Sequence, residues 1–253
     1  MAQNTKTAAL LIIGNEILSG RTKDKNMGWL AENLTAKGIN LTEARVIADI
    51  PDAIIEAVNT LRKTYDYVFT TGGIGPTHDD ITAECIAKAF DAELFEDPEA
   101  RRRLEVHYAE SGSELNEARL KMAKVPRGST LIDNPVSAAP GFQIENVYVM
   151  AGVPRIMQAM FDGIASGLVG GDEILSVEMQ FNLGEGDIAD ALTGIQAAYP
   201  DIDIGSYPSY KGGKFSVSVV LRHTDQALLS EAANKVDDTL RPMEATKKSG
   251  LGG

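Results

Sequence analysis

Cysteine is nearly absent: Cys85 stands alone in 253 residues, which excludes an intramolecular disulfide and a multi-cysteine zinc site. That usage fits a reducing compartment, so the expected location is the cytoplasm. Histidine is scarce too, and His78, His107 and His223 show no H-E-x-x-H or comparable spacing, which argues against a histidine-held metal. Positive charge is short, because 36 acidic residues face 24 basic ones and leave a net charge of −12. Nonspecific binding to nucleic acid or to an anionic membrane needs a basic surface, so neither partner is expected. The one basic cluster, Arg101 to Arg103, reads as a solvated helix face. Long apolar runs are also missing. Ala8–Ile13 falls far short of the roughly 18–20 residues that cross a bilayer, lacks a signal peptide's cleavage region, and reads as a buried first strand.

What is present describes a folded α/β protein. Apolar residues make up 43% and charged residues 24%, and the length suits one large or two modest domains. After the first strand, helix-like and strand-like stretches alternate, the pattern of a parallel sheet flanked by helices. A helix is predicted over Asn26–Lys37 up to Gly38, a strand over Leu41–Ile47, a helix over Pro51–Lys63 and a strand over Tyr67–Thr71. Further helices are expected at 80–90, 98–111, 115–123 and 153–167, with short strands near 130–133 and 147–150. The glycines of Gly167–Asp172 end that last helix and loosen the chain, so a second domain is expected to start there. Its pattern is βαββα, with a hairpin turned at Lys211-Gly212-Gly213. The expected division is residues 1–169, 170–243 and a flexible tail 244–253.

The strongest chemical signal is Thr71-Gly72-Gly73-Ile74-Gly75-Pro76-Thr77-His78-Asp79-Asp80, a glycine-rich loop between a strand and a helix. Glycines let backbone N–H groups approach an anion, and the next helix adds its positive N-terminal end. No Walker lysine follows. Two carboxylates stand there instead, and acid beside phosphate repels unless a divalent cation bridges them, so Asp79 or Asp80 reads as an Mg²⁺ ligand or as the group that aligns water. The alternative is a tight turn whose Asp79, Asp80 and Thr82 cap a helix. Asp49, at the end of the second strand, lies on the same carboxyl rim and could share that metal from an adjacent loop; alternatively it caps the helix near Pro51.

Glu16, in Gly14-Asn15-Glu16 at the end of the first strand, can accept from a ribose, a pterin amide edge or metal-bound water, or act as a first-turn helix acid. Asn134-Pro135 through Pro140-Gly141, and Gly152-Val153-Pro154, supply small residues and fixed turns suited to pocket walls. Gly184-Glu185-Gly186-Asp187-Ile188-Ala189 satisfies G-x-G-x-x-A but has acidic intervening residues and no βαβ crossover, so no dinucleotide is expected there. No G-x-S-x-G elbow exists, and Cys85 reads as a small buried residue.

Together Gly14-Asn15-Glu16-Ile17-Leu18 with Asp24 and Asn26, the loop Thr71–Thr82, Asn134-Pro135 with Pro140-Gly141, and Gly152-Val153-Pro154 resemble the N-terminal region of the CinA (competence/damage-inducible protein A) family. This family lies in the molybdopterin-binding superfamily with MoaB and MogA, and the motifs also resemble the first domain of eukaryotic FAD synthases. The resemblance spans about residues 7–168, and the βαββα module resembles the CinA middle domain. It implies a three-layer α/β/α domain that hydrolyses the pyrophosphate of ADP-ribose or FAD with Mg²⁺ or Co²⁺ and K⁺, in a homo-oligomer. Asp80 and Asp49 would be catalytic and metal-binding. The ligand would be bound by Gly14, Glu16, Asp24, Asn26, Gly72, Gly73, Gly75, Pro76, Thr77, Asp79, Asn134, Pro135, Pro140, Gly141, Gly152 and Pro154. The rival implication is a molybdopterin-binding module without turnover. The nicotinamide-mononucleotide deamidase domain of full-length CinA has no room here, so that activity is not expected. Met122, Ser137-Ala138, Ala151 and Ile156 depart from the family pattern, at positions expected to border the pocket.

Overall fold

Six consecutive buried side chains, Ala8 to Ile13, require the first strand, β1 (Lys6–Ile13), to be covered on both faces. The computed structural model describes residues 5–211 and 214–248, divided into two units at residues 171 and 172. In the first unit, β1 is followed by α1 (Asn15–Leu18), α2 (Asn26–Thr35), β2 (Ile39–Ile47), α3 (Pro51–Thr64), β3 (Tyr67–Thr71), α4 (Thr82–Ala89) and β4 (Leu94–Glu96). Then come α5 (Pro98–Glu110), α6 (Glu117–Leu120), β5 (Lys124–Pro126), β6 (Thr130–Ile132), β7 (Gly141–Ile144), β8 (Val147–Met150) and α7 (Pro154–Ala165). The main sheet has the order β2-β1-β3-β8-β7-β6, parallel from β2 to β8 and antiparallel through β7 and β6.

Alternate residues of β1 enter opposite layers. Ala9, Leu11 and Ile13 pack with Ile54, Val58 and Leu61 of α3 and with Cys85 and Ile86 of α4. Ala8, Leu10 and Ile12 pack with Leu30 and Leu34 of α2 and with Met157, Met160 and Phe161 of α7. This is the expected three-layer α/β/α arrangement. Each fully buried Leu or Ile contributes about 1.5–3 kcal/mol, so β1 is the energetic centre of the unit. Cys85 lies within this core, where burial raises its thiol pKa to about 11 and leaves the sulfur inert. The arginines of α5 spend their charge locally: Arg101 pairs with Glu96 and Glu105, while Arg102 and Arg103 pull the Glu99 carboxyl down to about 2.

Some elements differ from expectation. The short strands β4, β5 and β7 and the single-turn helix α1 fall where the sequence predicts no strand or helix. The two units divide within Gly167–Asp172, and just before the division Gly171 N–H donates to Gly38 O at 3.1 Å and a Cβ on Gly170 would lie 1.6 Å from Lys37 O. The second unit runs β9 (Leu175–Phe181), α8 (Glu185–Ala198), β10 (Asp203–Lys211), β11 (Lys214–His223) and α9 (Gln226–Lys248). Its antiparallel sheet, ordered β10-β11-β9, packs Val217, Val219 and Leu221 against Ile188 of α8 and Leu229 and Val236 of α9. Gly212 and Gly213 of the expected hairpin turn lie outside the described residues, as do residues 249–253 of the expected tail. Residues 244–248 of that tail are the last turn of α9, where Glu244 is buried and accepts from Asn182 Nδ2.

Helices α3 and α4 cover one face of the sheet and α2 and α7 the other, while β1 connects outward to β2 on one side and pairs with β3 on the other. The reversal between β1 and β3 is the switch point at which open α/β sheets bind ligands. Gly72 sits there, with φ +103° and room for no side chain, since a Cβ would lie 2.1 Å from Ile13 O. Gly72→Ala is therefore expected to destabilise the protein by about 3 kcal/mol or more, read as a shifted midpoint in chemical denaturation.

Candidate functional site

Beyond β3 the chain turns through Gly72 and Gly73, both with positive φ. Thr82, fully buried at the start of α4, pins this turn: its hydroxyl donates to Gly72 O at 3.0 Å and its N–H to Gly73 O at 3.0 Å. With the carbonyls held down, the amides face outward. Among the described residues, the N–H groups of Gly73, Ile74 and Gly75 have no hydrogen-bond partner. These three residues line a cleft of about 200 Å³ together with Asp80, Glu84, Lys121, Met122 and Pro140. Successive free amides beside a helix N-terminus form an anion-binding nest. The volume is below the ~300–1,000 Å³ of pockets that enclose whole ligands, so the cleft suits a phosphate group and its immediate neighbours.

The turn at 77–80 supplies opposing charge. Thr77 N–H donates to Asp80 Oδ2 at 2.8 Å, and the Thr77 hydroxyl lies 2.5 Å from both Asp79 Oδ1 and Asp80 Oδ2. One hydroxyl has one proton, so it can satisfy only one of these two carboxylates at a time. The Asp79 carboxyl is held below the ordinary carboxylate range, first by the Thr77 hydroxyl and then by its own backbone N–H, with smaller help from His78 and Lys121. Lys121 Nζ donates to Thr77 O at 2.7 Å and brings a positive charge to the cleft wall.

The carboxylate expected from the neighbouring loop is placed differently. In the sheet β1 stands between β2 and β3, so Asp49 and the glycine loop emerge two strands apart, on opposite sides of the β1 terminus. Asp49 Oδ2 accepts the Asn15 N–H at 2.8 Å and lines neither this cleft nor the one described next. Among the described residues, no three His, Cys, Asp or Glu side chains are placed to share a metal ion. The donor set still fits Mg²⁺, which commonly takes one or two carboxylates and completes its shell with substrate phosphates and water.

A second, smaller cleft of about 50 Å³ gathers Glu16, Asp24, Asn26, Thr71, Gly152 and Pro154 at the ends of β1, β3 and β8. Gly14 leaves room for Glu16, whose carboxylate would lie 2.6 Å from a Cβ at that position. Thus the expected ligand-binding residues divide between two clefts: Gly73, Gly75, Asp80 and Pro140 in the larger, Glu16, Asp24, Asn26, Gly152 and Pro154 in the smaller. Pro76, Thr77 and Asp79 are exposed in the loop beside the larger cleft, and Gly72 holds the strand ends together. Asn134 spends its amide on its own turn, donating to Ser137 Oγ and Ala139 O and accepting from Val136 N–H and Ser137 N–H. Pro135 is exposed in that turn, and Gly141 is a buried sheet residue against Val149 O.

Of the departures from the family pattern, Met122 lines the larger cleft. Ser137, Ala151 and Ile156 line neither, contrary to expectation, and Ala151 and Ile156 pack against the core beneath α7. Residues that sequence reasoning missed are Lys121, which carries no motif, and Thr71, which the sequence marks only as the end of a strand before the glycine loop. A larger groove, about 1,000 Å³, runs between α8 and β10 in the second unit, lined by Ile188, Leu192 and Ile204. The Gly184 N–H of the G-x-G-x-x-A stretch, outside that lining, is taken by the Asp187 carboxylate at 2.7 Å.

A mixed sheet with a free-amide loop at its switch point, faced by carboxylates, defines a three-layer α/β domain whose cleft is of a size for an anionic group. The chain belongs to the family described as probable molybdopterin binding domain, which matches residues 9–190. A second family, the middle domain of FAD synthase, matches residues 173–248. Among relatives, a protein of Archaeoglobus fulgidus is 38% identical over 82% of this chain and 89% of its own length. A probable FAD synthase of Caenorhabditis elegans is 34% identical over 95% of this chain, which spans 50% of that longer protein. The crystal structure of the protein CinA of Thermoplasma acidophilum, described as of unknown function, superposes with a TM-score of 0.59 at 34% identity, over 65% of this chain and 98% of that one.

Because Thr82 alone ties both loop carbonyls to α4, Thr82→Val keeps the shape but leaves Gly72 O unsatisfied in a buried position. A loss of about 1–3 kcal/mol in unfolding free energy is expected from urea titration.

Proposed function

We propose that this protein is a metal-dependent nucleotide pyrophosphatase acting on ADP-ribose or FAD. The observation that carries the proposal is the set of free N–H groups at Gly73, Ile74 and Gly75 next to the Asp79 and Asp80 carboxylates. The amides suit a diphosphate, and the carboxylates make sense beside it once a cation is shared. The relatives named FAD synthase support FAD as the class of ligand, although their activity belongs to a chain about twice as long.

In this mechanism the Gly73–Gly75 amides and the start of α4 hold the diphosphate and receive the charge that develops on its oxygens. Asp80, which lines the cleft, would hold the cation and orient the attacking water, while Asp49 stays on the far side of the β1 terminus with its carboxylate on Asn15 N–H. Water oxygen bonds to phosphorus as the bridging P–O bond breaks, so ADP-ribose yields AMP and ribose 5-phosphate, and FAD yields AMP and FMN. A bound divalent ion such as Mg²⁺ or Co²⁺, assisted by K⁺, neutralises phosphate charge and lowers the pKa of water. Lys121, on the cleft wall, steadies the loop through Thr77 O. The proposal includes a homo-oligomer working in the cytoplasm. Among the described residues, no helix is long and apolar enough to cross a membrane.

A second reading, a molybdopterin-binding module without turnover, is favoured by the family description of residues 9–190. It shares the phosphate site and differs in releasing no AMP. The test is AMP release from ADP-ribose and from FAD with Mg²⁺ or Co²⁺ and K⁺. Turnover is expected in the wild type and a fall of about 10²-fold or more in Asp80→Ala, with folding unchanged. Absence of AMP from folded wild-type protein would overturn the hydrolase and leave the binding module.

A further inference from the structure

Among the described residues, three buried side-chain polar atoms lack any hydrogen-bond partner: Asn26 Oδ1, Thr70 Oγ1 and Thr71 Oγ1. Such atoms are rare in native folds because leaving them unpaired is destabilising. Two of them sit in one place. Asn26 and Thr71, 4% and 1% exposed, both line the small cleft at the ends of β1 and β3.

The cleft has an exposed side, where Lys23 and Lys25 stand, and a buried side formed by Asn26 and Thr71. Asn26 Nδ2 donates to Gly152 O at 2.8 Å, which fixes the amide and leaves Oδ1 as an acceptor with nothing to accept. Glu16 and Asp24 add carboxylates to the same lining, with one Asp24 oxygen already taken by Met27 N–H. A phosphate oxygen accepts only, so it cannot satisfy Asn26 Oδ1, whatever Lys23 and Lys25 do at the exposed side. A hydroxyl or N–H group fits, and a volume of about 50 Å³ admits the polar edge of a molecule and excludes a whole ring system.

We infer that the small cleft receives the donor-bearing edge of the bound ligand, with Asn26 Oδ1 and Thr71 Oγ1 as its hydrogen-bonding partners. This rests on the nucleotide reading above and adds a direction to it. The phosphate lies on the α4 side of the β3 terminus, on the free amides, and the hydroxyl or N–H edge lies on the α2 side. Thr71 thereby selects for ligands that carry a hydrogen-bonding edge as well as a phosphate.

Thr70 supplies an internal control. Its hydroxyl is equally buried and unpaired, but it does not line the cleft. Replacing either threonine by valine removes an unsatisfied hydroxyl with little change of shape, so both Thr70→Val and Thr71→Val should raise Tm of the free protein, by about 1–3 °C. Only Thr71→Val should affect binding. Calorimetric titration with ADP-ribose and FAD is expected to give the wild-type affinity for Thr70→Val and for Thr71→Ser, and a weakening of about 3- to 10-fold for Thr71→Val. Ribose 5-phosphate as a third probe separates the two donors: a Thr71→Val effect on it assigns sugar hydroxyls, and an effect confined to the larger ligands assigns a ring edge. Equal affinity of Thr71→Val and wild type for ADP-ribose and FAD overturns the inference while leaving the nucleotide site standing. Failure of the wild type to bind either probe removes the nucleotide reading and this inference with it.

Discussion

The packing of Gly72 against the carbonyl of Ile13 is the contact on which the rest of the site depends. A Cβ on Gly72 would lie 2.1 Å from that oxygen, and one on Gly152 would lie 3.2 Å from Gly72 Cα, so the ends of β1, β3 and β8 meet with no side chain between them. That closeness opens a cleft on each face of the sheet at the switch point. It also forces the chain into positive φ, which only glycine adopts without strain, and so turns the following amides away from the sheet. Sheet packing and the free-amide loop therefore share one residue, Gly72.

Electrostatics then divide the labour between the clefts. On the α4 side, free N–H groups, the helix N-terminus and Lys121 provide positive potential, and Asp79 and Asp80 stand beside them. On the α2 side the exposed lining mixes Glu16 and Asp24 with Lys23 and Lys25, and the buried Asn26 oxygen is left to a donor. A ligand carrying a phosphate next to a hydroxyl or amide edge matches both at once. In a protein with net charge −12, the proposed anion site is set apart by these free amides.

Much of this was legible in the residues. Ala8–Ile13 reads as a doubly covered strand because its apolar run has no polar alternation, and Tyr67–Thr71 followed by Gly72-Gly73-Ile74-Gly75 reads as a strand feeding an anion loop because glycine is needed there. The rest depends on partners distant in sequence. β4, β5 and β7 are three or four residues long, too short for periodicity, and exist only through pairing across long loops. Chain order suggests that β2 and β3 are neighbours, whereas the switch point inserts β1 between them, and so Asp49 faces Asn15 N–H. The unpaired oxygens of Asn26 and Thr71 follow from burial and from the Gly152 carbonyl that orients one amide, neither of which has a local signature.

The central claim is that the glycine loop and the Asp79–Asp80 turn form one site in which phosphate and divalent cation are bound together. Its most direct test is thermodynamic linkage: the affinity for ADP-ribose measured by calorimetry across a series of Mg²⁺ concentrations. Each ligand should tighten the other by the same factor, at least about fivefold, because the carboxylates repel the phosphate until the cation is present. An ADP-ribose affinity that is independent of Mg²⁺, or that falls as Mg²⁺ rises, would contradict the account.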